Sequence, residues 1–217
     1  MKPRSSNQTN HALTLVEVLV IIAILALVAA ILLPGLAAAK RKSARVGCDN
    51  NLKEIGLAYR IWEGDNGDKY PMFVSVTNGG AMELILTGNV LVNFLAMSNE
   101  LSTPMILHCP KDIEHIGTNS FAWLTSSNIS YFVNVDATEA YPQMLLSGDD
   151  NFEIGGVPVK SGLLELSTNT PISWTAARHK FVGNIGLADG SVQQVTQSGL
   201  RQVVQQAGFA TNRLAIP

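Results

Sequence analysis

The chain has 217 residues, 47% of them hydrophobic, and a formal net charge of −2, enough for one membrane-spanning segment and one modest globular domain. The charge is unevenly placed, net +3 over residues 40–63 and net −6 over residues 64–217. An acidic C-terminal part excludes a general nucleic-acid binder, which presents a basic face, and two cysteines that each stand alone exclude a zinc finger.

The N-terminus begins with the polar stretch "MKPRSSNQTNHA", with Lys2 and Arg4, and an apolar run follows directly. From Val18 to Ala39 no residue is charged, a length that crosses a bilayer as a helix. A secretory signal has an apolar region of only about 7–15 residues before its cleavage site, so this run is too long for one. A plain membrane anchor fits the length but leaves Glu17 unexplained, because a carboxylate in hydrocarbon costs about 3 kcal/mol on insertion scales unless a partner waits for it. At the cytoplasmic interface Glu17 can instead snorkel to water. Pro34 lacks an N–H, so a kink or local melting is predicted at Pro34-Gly35.

"KRKSAR" follows, placing Lys40, Arg41, Lys42 and Arg45 after the apolar run against two cations before it. A positive-inside count by itself puts the C-terminal part in the cytoplasm. The cluster also suits anionic headgroups at a helix exit. Read as a DNA contact, it lacks accompanying aromatic or glycine-rich elements. The helical pattern then continues through Leu52, Ile55, Tyr59 and Trp62, an apolar stripe that predicts packing on the following domain. Asp65, Asn66, Gly67 and Pro71 end it with turn chemistry. A helix from Leu13 to about Glu63 is roughly 75 Å long. Asp65 and Asp68 lack the ligand series and closing Glu of a calcium loop.

Residues 81–98 predict one or two short apolar helices broken near Gly88. "LHCP" places Cys109 at the end of a short strand stopped by Pro110, and residues 129–135 and 143–150 read as two further strands, the second ending on Asp149 and Asp150. Cys48 and Cys109 form one disulfide if the domain lies in an oxidising compartment; otherwise they are two unrelated buried thiols. No internal repeat, low-complexity tract or second domain boundary is evident.

Near the C-terminus, Asp189-Gly190 flanked by Ile185/Leu187 and Val192/Val195 predicts a hairpin whose turn needs positive φ. A short helix with the stripe Leu200, Val203, Val204 and Ala207 follows, stopped by Gly208. His179 with Asp149, Asp150 and Asp189 is a conceivable ligand set or hydrolytic site. No close-spaced metal motif, nucleophile elbow or P-loop accompanies it. In the simpler reading Asp189 shapes the turn and His179 hydrogen-bonds nearby backbone.

"ALTLVE" at residues 12–17, set on a long apolar helix with Pro34, resembles the processing site of type IV pilins and type II secretion pseudopilins. The resemblance implies that a prepilin peptidase cuts between Ala12 and Leu13 and methylates the new amine of Leu13. Ala12 stands where the family usually has Gly, and Leu13 where it has Phe. Cleavage would place a cationic amine four residues before Glu17, on nearly the same helical face. In a stack of subunits Glu17 can then meet the Leu13 amine of a neighbour and fix axial register. "DNGDKYP" is similar to the helix-to-head junction of the major pseudopilin. His179-x9-Asp189-Gly190, together with Cys48 and Cys109-Pro110, resembles a large bacterial group of pilin-like proteins with that C-terminal motif.

These features together predict an α+β, pilin-like fold: a leader (1–12), the transmembrane half (13–39) and amphipathic half (40–63) of one helix, and a small antiparallel-sheet head (64–217). The implied function is a structural subunit of a type II secretion or type IV pilus-type filament, not an enzyme, with no cofactor or metal. Its implied partners are further copies of itself, the prepilin peptidase, other pilins or pseudopilins, the inner-membrane assembly platform and membrane lipids, and no nucleic acid. The implied location is the bacterial inner membrane, single-pass, with the head in the periplasm. The alternative is a membrane-tethered periplasmic binding or adhesin-like protein that does not polymerise.

Overall fold

The structure is a computed structural model that describes residues 14–217. It divides into two compact units at Ser43/Ala44, and the first helix, α1 (Leu15–Asp65), contributes to both. Its bounds fall within two residues of those predicted. Helical geometry runs unbroken through Pro34 and Gly35, so local melting does not occur there. Proline deletes one bond, to the carbonyl of Ala30, and the bonds on either side carry the helix across.

Within the first unit, Leu15–Leu36 has mean hydropathy 3.2 and none of it is buried by protein. At about 1.5 Å per residue it is long enough for a hydrocarbon core of roughly 30 Å. Such a continuous apolar surface requires cover by lipid or by protein.

In the second unit, the rest of α1 buries Leu52, Ile55, Tyr59 and Trp62, the apolar stripe of the sequence, together with Cys48 and Ala58. Two short helices follow, α2 (Met82–Ile85) and α3 (Val90–Ala96), separated at Gly88, whose φ of 84° is open to glycine and costly for other residues. The strands are β1 (Tyr131–Asn134), β2 (Leu145–Asp149), β3 (Phe152–Ile154), β4 (Val157–Pro158), β5 (Gly162–Ser167), β6 (Ile172–Trp174), β7 (Val182–Leu187) and β8 (Val192–Thr196). Helix α4 (Gln197–Gln206) and strand β9 (Thr211–Ile216) complete the chain. A six-stranded sheet runs β5-β9-β1-β2-β7-β8 and a three-stranded sheet runs β4-β3-β6, with antiparallel pairing throughout. This is the predicted α+β arrangement, a long N-terminal helix followed by an antiparallel-sheet head.

The larger sheet separates two cores, and strand alternation sorts side chains between them. Tyr131, Val133, Leu146 and Ala215 face the core shared with α1. Phe132, Leu145, Leu214 and Ile216 face the core shared with α4. Both faces of β1 and β2 are therefore covered, which is why "YFVN" and "LLSGD" show no polar alternation.

Two expectations are corrected. Residues Pro104–Leu107 form a 3₁₀ turn rather than a strand leading to Cys109, because Pro104 starts the turn and the Thr103 hydroxyl caps Met105 N–H. The Cys109 N–H accordingly donates to Ser130 Oγ at 3.0 Å and not to a strand partner. Strands β3 to β6 and β9 lie where no strand was predicted. Most are short or Gly- and Pro-flanked, and β9 carries Asn212 and Arg213 within its run.

Candidate functional site

Thr14 and Glu17 open α1. The Glu17 Oε2 accepts the Thr14 N–H and the Thr14 hydroxyl, each at 2.8 Å, and the Thr14 Oγ1 accepts the Glu17 N–H at 3.3 Å. This reciprocal pair is a capping box, which satisfies two of the orphan donors at a helix start. The Thr-x-x-Glu spacing announced it, and reading Glu17 as an intersubunit residue or as one snorkelling to the interface missed it. Both bonds fall on Oε2. The cleavage-site residues Ala12 and Leu13 lie outside the described residues.

The two ends of His179-x9-Asp189-Gly190 flank β7 and both reach α1. The His179 carbonyl accepts from Arg45 at 3.3 Å, and the Asp189 carbonyl accepts from Arg60 at 2.7 Å. The two arginines stand fifteen residues apart, about 22 Å along the helix. The Asp189 Oδ1 accepts the Ser191 N–H at 2.8 Å and shapes the β7–β8 turn, where Gly190 has φ 82°. At Gly56 a Cβ would lie 3.7 Å from the Gly190 Cα, so helix and turn approach closely.

The side chain of His179 sits elsewhere than simple backbone bonding predicts. Its Nε2 is 3.4 Å from Cys109 Sγ and 3.6 Å from Asp149 Oδ2. Cys109 is bonded to Cys48, with Cα atoms 5.2 Å apart, joining α1 to the segment ahead of β1. Burial, reinforced by the cations of Arg45, Arg178 and Lys111, pushes the His179 imidazole down to about 4. Burial pushes the Asp149 carboxyl up to about 7 against the opposing hydrogen bonds from Asn184 N–H, at 2.8 Å, and Asn184 Nδ2, at 3.0 Å. The donor atoms of Cys48, Cys109, Asp149 and His179 all lie within 4.8 Å of one another. Of the conceivable ligands grouped in the sequence, the structure brings His179 to Asp149; Asp150 turns to Arg178, and Asp189 stays in its turn.

A second buried polar cluster adjoins this one. Arg178 pairs with Asp112 at 2.6 Å and with Asp150, and donates to the Ser130 carbonyl at 2.8 Å. Burial opposes charge on Asp112. Hydrogen bonds from His115, at 2.7 Å, and Ser130, at 2.6 Å, with the Arg178 cation, outweigh it and hold the carboxyl well below the usual range. The Asp112 bond in turn raises His115 above its ordinary value. Burial raises Asp150 to about 6 despite Arg178. Beside this network opens a cavity of about 420 Å³, lined by His115, Asp150, Asn151, Phe152, Lys160 and Arg178 among others. Sequence reading missed Asp112, His115 and Arg178 as a unit. Arg178 and Asp112 are 66 positions apart, and no local pattern joins them.

Residues 7–33 match the family described as the prokaryotic N-terminal methylation motif. No curated protein and no solved structure matches the chain. The motif, the capped apolar helix that overlaps it and the α+β head together support a pilin-like protein that is processed by a prepilin peptidase, and the helix fits membrane anchoring.

Proposed function

We propose that the chain is a structural pilin or pseudopilin-like subunit, cut between Ala12 and Leu13, methylated on Leu13, and assembled through the Leu15–Leu36 helix into a type II secretion or type IV pilus-type filament. The observation that carries this reading is the overlap of the methylation motif at residues 7–33 with the apolar helix Leu15–Leu36, long enough to cross a membrane. In the bilayer lipid covers the helix surface. On extraction, the same surface on neighbouring copies replaces lipid with dry helix packing. Glu17 adds register: Oε2 caps its own helix, and Oε1 faces the task of meeting a neighbour's Leu13 amine. The head lies in the periplasm, where the Cys48–Cys109 disulfide is at home. Its role is structural and not catalytic.

Mass spectrometry of the membrane and sheared-appendage fractions tests the reading. A methylated Leu13 at the N-terminus, in appendages that contain this chain, is expected. An intact Met1 on the membrane-inserted chain overturns the processing step, and a cleaved chain absent from appendages overturns polymerisation. That second outcome favours the alternative, a membrane-tethered binding or adhesin-like head. The cavity of about 420 Å³ beside Arg178 is the feature that supports it.

A further inference from the structure

We propose that Cys48, Cys109, Asp149 and His179 form a redox-gated site for a thiophilic divalent cation such as zinc, closed by the disulfide and opened by its reduction. Three independent observations point there. The four donor atoms lie mutually within 4.8 Å, and two of the six separations are already 3.4 Å (His179 Nε2 to Cys109 Sγ) and 3.6 Å (His179 Nε2 to Asp149 Oδ2). A tetrahedral zinc with sulfur ligands at about 2.3 Å and nitrogen or oxygen at about 2.0–2.1 Å separates its ligands by roughly 3.3–3.8 Å. The two sulfurs must part from bonding distance to about 3.8 Å, and the remaining separations start within 4.8 Å.

The second observation is a half-satisfied carboxyl: Asp149 is wholly buried, its Oδ2, the oxygen 3.6 Å from His179 Nε2, accepts both Asn184 bonds, and its Oδ1 has no hydrogen-bond partner. A buried carboxylate oxygen left unpaired is costly, and a cation is the partner that suits it. The third is backbone strain: Lys180 and Phe181, directly after His179, both take left-handed φ, 55° and 63°. Two consecutive non-glycine residues in that region persist only where surroundings over-determine them, as at ligand clamps.

Charge favours the exchange as well. A disulfide is neutral, and so is a zinc dication with two thiolates, so with Asp149 ionised in both states the buried surroundings, including Arg45 and Arg178, meet the same net charge. The steps balance. A dithiol reductant passes two electrons and two protons to the Cys48–Cys109 bond and becomes a disulfide itself. Zinc then binds, and the two thiol protons, together with any proton held by Asp149, leave to solvent. A disulfide-bearing oxidant reverses the sequence and expels the ion. The same four residues thus staple α1 to the sheet in reducing and in oxidising surroundings.

The test uses the full chain in detergent micelles, titrated with Co²⁺ before and after reduction by a dithiol that is then removed under inert gas. The oxidised chain is expected to take up none at this cluster. The reduced chain is expected to bind one Co²⁺, with thiolate-to-cobalt charge transfer and the intense d–d bands of tetrahedral geometry, and to release it to one equivalent of zinc. His179→Ala and Asp149→Asn should each weaken uptake at least about 10-fold. A reduced chain that takes up no Co²⁺, folded or unfolded, overturns the proposal, as does a weak octahedral spectrum or uptake unchanged in both variants. Comparing the oxidised and reduced wild type needs no substitution, so a variant that fails to fold leaves the test decisive.

Discussion

The Glu17 carboxylate caps the helix that carries it, accepting the Thr14 N–H and hydroxyl at 2.8 Å each. An amide oxygen at this position can still accept both of these bonds, since they fall on one oxygen, but brings no charge to a buried amine. Glu17→Gln should therefore leave membrane insertion and cleavage after Ala12 intact while assembly fails. Losing one partner of a buried pair costs about 3–5 kcal/mol at each subunit contact. Sheared-filament yield at matched membrane levels measures it, and normal filaments from the variant would remove Glu17 as the register device. Thr14→Ala removes only the cap, about 1 kcal/mol, and should assemble far better than Glu17→Gln.

Gly190 holds the β7–β8 turn against α1 at φ 82°, and a Cβ there would stand 3.2 Å from Arg60 Nε. Gly190→Ala should cost about 1–2 kcal/mol, roughly 2–8 °C in Tm for a unit of this size. Asparagine tolerates left-handed backbone, so Gly190→Asn should cost visibly less. Equal losses in thermal unfolding would show that the backbone conformation is not what the glycine supplies.

Asp112 and Arg178 form an ion pair whose carboxylate is wholly buried, and Asp112→Asn should destabilise the head by about 3–5 kcal/mol near neutral pH. The sign of its pH dependence follows from the lowered Asp112 value. The stabilisation is fully present above the ordinary carboxylate pKa of 3.8 and is lost as pH falls through the still lower folded-state value. His115 is shifted upward, so its share is present below 6.5 and lost as pH rises past its folded-state value. Denaturant melts of both chains from pH 7 downward should show the gap between them closing only below pH 3.8. A gap constant to the lowest pH would show that Asp112 is not the acid-sensitive group.

The Cys48–Cys109 bond closes a loop across a sequence separation of 61 residues. Chain entropy alone makes Cys48→Ser cost about 4 kcal/mol, or roughly 8–16 °C in Tm. Calorimetry of the oxidised wild type against the variant, both without metal, checks the figure. Indistinguishable midpoints would mean that packing of α1 on the sheet suffices without the bond.

Features that repeat or terminate locally are written in the residues themselves. The apolar run follows from its uncharged length, and the Leu52/Ile55/Tyr59/Trp62 stripe, the break at Gly88 and the Asp189-Gly190 hairpin each follow from periodicity or turn chemistry within about a dozen residues. The Thr14-x-x-Glu17 cap was legible in the same way. Strands β1 and β2 could be read from β-branched and apolar content, whereas β9 depends on strands far away in the chain for its pairing and shows no such signal. Which polar groups meet depends on long-range packing. His179 joins Asp149 and the cysteines, and Arg178 joins Asp112 and Asp150, because an antiparallel sheet laid on α1 brings residues 48, 109, 149 and 179 to one buried point. Nothing in local spacing encodes that convergence. The cost of burying charge does: once the sheet has placed these groups out of water, each must find a partner, and the partners lie wherever the strand register has set them.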